Sequence, residues 1–262
     1  MYLQTQFILT KEFRLDFPSL FIFFGTHFLY AIHRIVGLRK VKPFQTAGRY
    51  KVIARFQHHI LLYAVLSSLV CLYLIFQLEW LLWKALIIPA ILSLGYVLPF
   101  LGQQKRLRDL HYIKIFLVAG VWSWLTVMIP AVAYGLEKHF PVWIVCLEKA
   151  FFIFAITLPF DIRDLQIDQF TKVKTLPALI GIQTTKYSAI FLLILSSLLV
   201  YLNFSLDVLS FGMFLGLISS YSITIVLVWF SDRIIHDYYF TGLLDGSMLI
   251  QFILFYLFHQ LF

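Results

Sequence analysis

Residues 139–168 read HFPVWIVCLEKAFFIFAITLPFDIRDLQID: an apolar run of roughly twenty residues that meets three carboxylates, Asp161, Asp164 and Asp168. The run is long enough for a helix to cross the hydrocarbon of a bilayer, and its acidic end marks where such a helix leaves the lipid. If the helix continues past Pro159, the i, i+3 and i+7 spacing puts the three acids on one face. Carboxylates gathered there repel one another unless a cation sits among them. Acids at a membrane edge are costly and mark an ion or substrate path by default. Hard oxygen donors suit Mg²⁺, which keeps several waters and shares its shell with substrate phosphates.

Outward from this segment the whole chain is written for lipid. Hydrophobic residues make up 61% and charged residues 13% of 262, far from the quarter charged of ordinary soluble domains. Eight apolar spans are expected at about 18–38, 57–77, 78–101, 112–134, 139–160, 186–203, 207–230 and 243–262. No segment alternates apolar and polar residues as a barrel strand does, so the fold class is all-α: a polytopic transmembrane helical bundle of about eight spans. No linker rich in Gly or Ser divides it, and 1–262 is read as a single membrane-embedded domain. Cys71 and Cys146 lie within apolar spans without metal-ligand spacing and are read as packing residues. The start, MYLQTQFILT, lacks a basic n-region, so no cleavable leader is expected.

The net charge of +8 raises the question of nucleic acid. Its distribution answers otherwise. Fifteen basic residues, from Arg39 to Arg233, fall on one side of the spans; the opposite side receives Lys11, Arg14 and Lys138, with Lys84 just inside a helix. That asymmetry is the positive-inside pattern, so the basic side is read as cytoplasmic and the partner as lipid bilayer, not nucleic acid. The multi-pass chain then suits a bacterial inner membrane, with both termini outside. The longer connections, about 39–56, 102–111, 161–185 and 231–242, lie on the basic side, where recognition or chemistry is expected. Pro89 and Pro99 are placed in the third span, Pro130 in the fourth, and Pro159 at the end of the fifth; such prolines either open a cavity or serve as plain structural kinks.

Beyond Asp168 the chain runs Thr171-Lys172-Val173-Lys174-Thr175-Leu176-Pro177-Ala178-Leu179-Ile180-Gly181. An Asp-x-x-x-Asp pair, a basic residue, Thr-Leu-Pro and a glycine resemble the second aspartate motif of the UbiA-type intramembrane prenyltransferases. Asp164 and Asp168 form the pair, with Asp161 at the preceding acidic position. Tyr96, Pro99, Lys105-Arg106 and Lys114 are similar to that family's Tyr-x-x-x-x-Lys-Arg region and the lysine beyond it. The resemblance extends over about 18–262 in span order and loop placement. It implies transfer of an isoprenyl group from a prenyl diphosphate to an aromatic or other lipophilic acceptor, with Mg²⁺ held by Asp161, Asp164 and Asp168. It also implies catalytic roles for Asp164 and Asp168, and diphosphate or substrate contacts from Lys105, Arg106, Lys114 and Lys174.

One part of the pattern is missing. The family's first acidic motif, Asn-x-x-x-Asp-x-x-x-Asp, has its place here at Tyr30-Ala31-Ile32-His33-Arg34-Ile35-Val36-Gly37-Leu38, and no carboxylate occurs between Phe17 and Gln77. Tyr30, His33, Arg34 and Gly37 form an i, i+3, i+4, i+7 stripe expected to face the bundle. Arg34 either grips the diphosphate directly, since guanidinium matches phosphate geometry, or snorkels to the headgroups. Reduced activity follows as one expectation; a non-catalytic isoprenoid- or partner-binding protein and a transporter are the alternatives. Glu148 and Lys149 lie mid-span, and Lys149 is read as lining a substrate cavity, against a structural pair. His27, His58 and His59 are read as packing residues, Asp232–Arg233 as an interfacial ion pair, and Asp245 as a helix-opening acid. Met1–Thr10 is read as the remnant of a truncated first helix, too short to span.

Overall fold

A computed structural model describes residues 1–40, 48–99, 106–234 and 236–262. Their regular secondary structure is all helical, with no strand among the described residues. The helices are α1 (Tyr2–Thr10), α2 (Phe17–Lys40), α3 (Gly48–Arg55), α4 (Gln57–Ile75), α5 (Trp80–Val97), α6 (Ile113–Ser123), α7 (Ile129–Ala133), α8 (Phe140–Arg163), α9 (Leu165–Phe170), α10 (Leu176–Ile180), α11 (Ile182–Ser205), α12 (Phe211–Phe230) and α13 (Ser247–Leu261). Eight stretches are long and apolar enough to cross a membrane: Phe17–Leu38, Gln57–Ile75, Trp80–Val97, Ile113–Ala133, Phe140–Arg163, Ile182–Ser205, Phe211–Phe230 and Tyr239–Leu261. They coincide in number and order with the spans expected from hydropathy. The third ends sooner than expected, at Val97, so Pro99 lies beyond the helix rather than within it. Pro159, expected to end the fifth, sits inside α8, which runs on to Arg163.

The described residues pack as two compact units. The first comprises Met1–Arg14 and Val118–Phe262, the second Leu15–Leu117. In the second, α2 packs along α4 and against α5, and a 3₁₀ turn at Leu107–Asp109 closes on α5. Gly95 of α5 admits that turn: a Cβ there would lie 2.6 Å from the Leu107 Cδ1 atom. His27 of α2 bonds Ser67 of α4 at 2.8 Å, which joins the two spans through a satisfied polar pair.

In the first unit α8 is the central post, with 56% of its apolar window buried against 28–50% for the other spans of that unit. It packs on α11; α11 adjoins α12, and α12 adjoins α13. Gly212 and Gly216 let α12 approach α13 closely, since added Cβ atoms would lie 2.3 Å from the Phe258 carbonyl oxygen and 2.5 Å from that of Leu254. Such small-residue seams give tight van der Waals contact where lipid supplies no hydrophobic drive. Between α6 and α7 the helix widens into a π turn, Trp124–Met128, just before Pro130. The widened turn absorbs the hydrogen bond that proline cannot make.

Mid-span, α8 carries a fully buried polar knot. The Lys149 Nζ atom lies 3.2 Å from Glu148 Oε2 and 3.0 Å from Gln251 Oε1, Tyr221 donates its hydroxyl to Glu148, and Ser196 donates to the Glu148 carbonyl. Adjacent helix residues do not share a face, yet these two long side chains bend together. Both side chains are buried, so each is the other's compensating charge. The knot ties α8 to α11, α12 and α13. The short α1 packs in this unit against the π turn and α7, with Gln4, Thr5 and Gln6 wholly buried. Gln6 bonds the Tyr134 hydroxyl at 2.7 Å and receives the Arg14 amide at 2.9 Å.

Candidate active site

The acidic segment belongs to the first unit. α8 stops at Arg163, Asp164 caps it with non-helical backbone, and α9 restarts at Leu165. The expected i, i+3, i+7 face therefore holds for Asp161 and Asp164 only; Asp168 stands on a second short helix. Asp161 and Asp168 are 4% and 6% exposed. Asp164 is paired with its neighbour: Arg163 Nε lies 2.8 Å from Asp164 Oδ1 and Nη2 lies 3.2 Å from Oδ2, a two-pronged grip. After α9 the chain reverses at Lys172, with positive φ, and the Val173 amide bonds the Asp168 carbonyl at 2.8 Å. That turn ties the backbone of Asp168 to the strand of chain leading into α10.

The Thr-Leu-Pro…Gly run has a plain structural meaning. Thr175 is the N-cap of α10, Pro177 stands in its first turn, and Gly181 separates α10 from α11 at φ +84°. Pro fits a first turn because no amide is needed there, and only glycine takes that φ without strain. The Thr175 hydroxyl is buried and without a hydrogen-bond partner. Lys174 beside it is exposed. Lys186 of α11 binds Asp232 at 2.6 Å, with Gln183 donating to the same carboxylate at 3.1 Å. Burial raises the Asp232 carboxyl, but those hydrogen bonds and the Lys186 charge outweigh it and hold it below the usual carboxylate range. Asp232 is thus paired across helices and not with Arg233, whose guanidinium lies over the Phe230 ring.

The basic residues form a cluster within the second unit. Tyr96, in the last turn of α5, stacks on His33 of α2 with ring centroids 5.7 Å apart. Arg108 lies over the Tyr96 ring at 5.5 Å and bonds the His33 imidazole. Arg106 is 5% exposed and turned onto Asp109, with Nη2 2.9 Å from Oδ1; its Nη1 atom is buried without a hydrogen-bond partner. Arg34 is exposed and lies over Tyr30, 5.0 Å from its ring centre. Arg108, Arg106, Lys114 and Arg34 all lie within electrostatic range of His33. Four cations around one ring favour an anion. Lys105 falls outside the described residues.

Of the residues expected to touch substrate, then, Arg34, Arg106 and Lys114 are gathered in one unit, while Asp161, Asp164, Asp168 and Lys174 follow one another in the other. Lys149 is committed to Glu148 and Gln251, the structural pairing weighed against a cavity role. Sequence reasoning passed over Arg108 as a contact of His33 and Arg163 as a partner of Asp164. Among the described residues no three His, Cys, Asp or Glu side chains gather to hold a metal. The donor set does not suit a cage made wholly of protein. It does suit Mg²⁺ that takes one or two carboxylates and completes its shell with water and phosphate.

The fold so described is an all-helical polytopic bundle with eight apolar spans, the fold class expected from the sequence. It is shared with the solved structure of a digeranylgeranylglyceryl phosphate synthase, at a TM-score of 0.60 and 17% identity, over 97% of this chain and 89% of the other. No protein-family profile and no curated protein sequence matches the chain.

Proposed function

We propose that the chain is a membrane prenyltransferase of the UbiA type, of reduced turnover, acting on a prenyl diphosphate and a lipophilic acceptor. The observation that carries this is the Asp161–Gly181 segment: two buried carboxylates and an ion-paired third at a helix break, held by a capped and glycine-ended turn, within a fold shared with a prenyl-lipid synthase. Mg²⁺ held by Asp164 and Asp168, with Asp161 in support, would supply charge to stabilise the leaving oxygens. The chain's own part is to bind and shield. Arg34, Arg106 and Lys114, with Lys105 and Lys174, offer cationic contacts to the diphosphate. In the reaction the allylic carbon–oxygen bond breaks, the diphosphate keeps the electron pair, and the acceptor bonds the carbon and gives up a proton. Aromatic faces stabilise the intervening positive charge.

The absence of a first acidic motif favours a second reading, an isoprenoid-binding protein without turnover. A cation set directly on the diphosphate replaces a metal's charge but not its Lewis acidity, so binding survives better than ionisation. The shared test is thermal unfolding with a non-hydrolysable prenyl thiodiphosphate. Addition of MgCl₂ is expected to raise the unfolding temperature through mass action on the folded state, and Asp164→Ala or Asp168→Ala to remove the increment. A full Mg²⁺-dependent rise in Asp164→Ala would reject the metal assignment.

The sidedness that this reading needs has its own measurement. Cysteines introduced at Arg49 and Thr171 are expected to react with impermeant label only from the cytoplasm, and a tag after Phe262 only from outside. A cytoplasmic C-terminus would mean that the count of eight spans is off by one.

A further inference from the structure

We infer that Arg163 is a positioning residue that acts as a built-in counter-cation: its guanidinium and a divalent cation compete for the Asp164 carboxylate. The inference rests on the metal reading of that segment but concerns a residue that the reading leaves without a role. Arg163 is the last residue of α8, next to the break at Asp164. Its guanidinium lies between two rings, 4.9 Å from the centres of both Phe160 and Phe240. It grips Asp164 by two nitrogens and leaves the third, Nη1, 3.6 Å from Asp237 Oδ1, beyond hydrogen-bond length.

Each contact bears on the exchange. The two rings hold the guanidinium plane in place whichever carboxylate it serves, since cation–π attraction does not depend on Asp164. Asp237 stands at the far side as a second acceptor, and buried Nη1 has no other bond. When Asp164 is withdrawn, Arg163 has a short move to Asp237 and loses no charge compensation. Asp164 stands between α8 and α9 with non-helical φ and ψ, and its backbone still bonds Phe160 and Asp168 at 2.9 Å, so only the side chain changes partner. The arrangement thus has two states for one carboxylate, Arg163-bound or cation-bound, and competition between them sets the metal affinity.

The sign of this competition separates it from simple support. A residue that only braces Asp164 would, when removed, weaken Mg²⁺ binding. A competitor, when removed, strengthens it. In Arg163→Gln the MgCl₂ midpoint of the thermal shift, measured with prenyl thiodiphosphate, is expected to fall on the order of tenfold. Arg163→Lys, which keeps the charge but not the planar fork, should give an intermediate midpoint. Without metal, hydrogen exchange of the amides from Asp164 to Thr171 should quicken in Arg163→Gln. An unchanged or higher midpoint in Arg163→Gln overturns the proposal; if that variant does not fold, Arg163→Lys is judged by the same rule. A wild type with no Mg²⁺ response rejects the metal reading itself, and the exchange experiment then decides alone: unchanged protection in the variants means that Arg163 does not hold Asp164.

Discussion

Lys149→Met is expected to lower unfolding stability by about 3–5 kcal/mol, the cost of stranding the partner of a buried ion pair. Glu148 would remain in a wholly enclosed site with its ammonium gone, and Gln251 Oε1 would lose its donor. Among the described residues, the Tyr221 hydroxyl would still serve the carboxylate. The contrast is the double replacement Glu148→Leu with Lys149→Met, which removes both charges and should lose less than the single change. Unfolding of detergent-solubilised protein by titration with a denaturing detergent measures both. A single variant within about 1 kcal/mol of wild type, well short of that penalty, would show that Glu148 is not relying on Lys149. The size of the effect explains why this pair is assigned to architecture: α8 carries the acids at its end, and its depth in the bundle is set by the knot at its middle.

The second large effect concerns ligand. Arg34→Ala is expected to weaken prenyl diphosphate binding by about 1.5–3 kcal/mol, the worth of a hydrogen bond to a charged group. The unit that holds Arg34 carries four cations within electrostatic range of His33, among them Arg106, which pairs with Asp109. Arg34 lies over Tyr30 at the exposed surface of its helix, where no carboxylate answers it in the chain from Phe17 to Gln77. Isothermal titration of wild type and variant, with a product assay alongside, separates the outcomes. Unchanged affinity returns Arg34 to a headgroup anchor, and brisk wild-type turnover shows that a single acidic motif suffices for catalysis.

These effects differ in how far they could be read beforehand. Hydropathy located all eight spans because solvation by lipid acts residue by residue along the chain. The role of Gly181 was equally open to reading, since a positive φ between two helices is a local demand. The break at Asp164 was not: it accompanies a grip by Arg163 that is itself framed by Phe240 and Asp237, far along the sequence. Helical periodicity alone would have carried the three acids along one face. Lys149 misled for a related reason. The rule that neighbours diverge on a helix holds for Cβ directions, but long side chains with no water to reach turn back to each other. Arg108 offered one signal, its place two residues beyond Arg106 in a basic loop, but nothing local showed that it would meet His33 of α2.

The burial of α1 has a consequence for how the molecule is made. Its unit is discontinuous in sequence, so α1 must find partners that are synthesised much later. Phe7 meets Phe255 and His259 of the final span, and Lys11 bonds the Val208 carbonyl across a separation of 197 residues. Until α13 leaves the ribosome, three consecutive polar side chains, Gln4, Thr5 and Gln6, have no finished interior to enter. Emergence of α13 is therefore the event that closes this half of the protein, and nascent chains stalled before it should leave α1 open to protease.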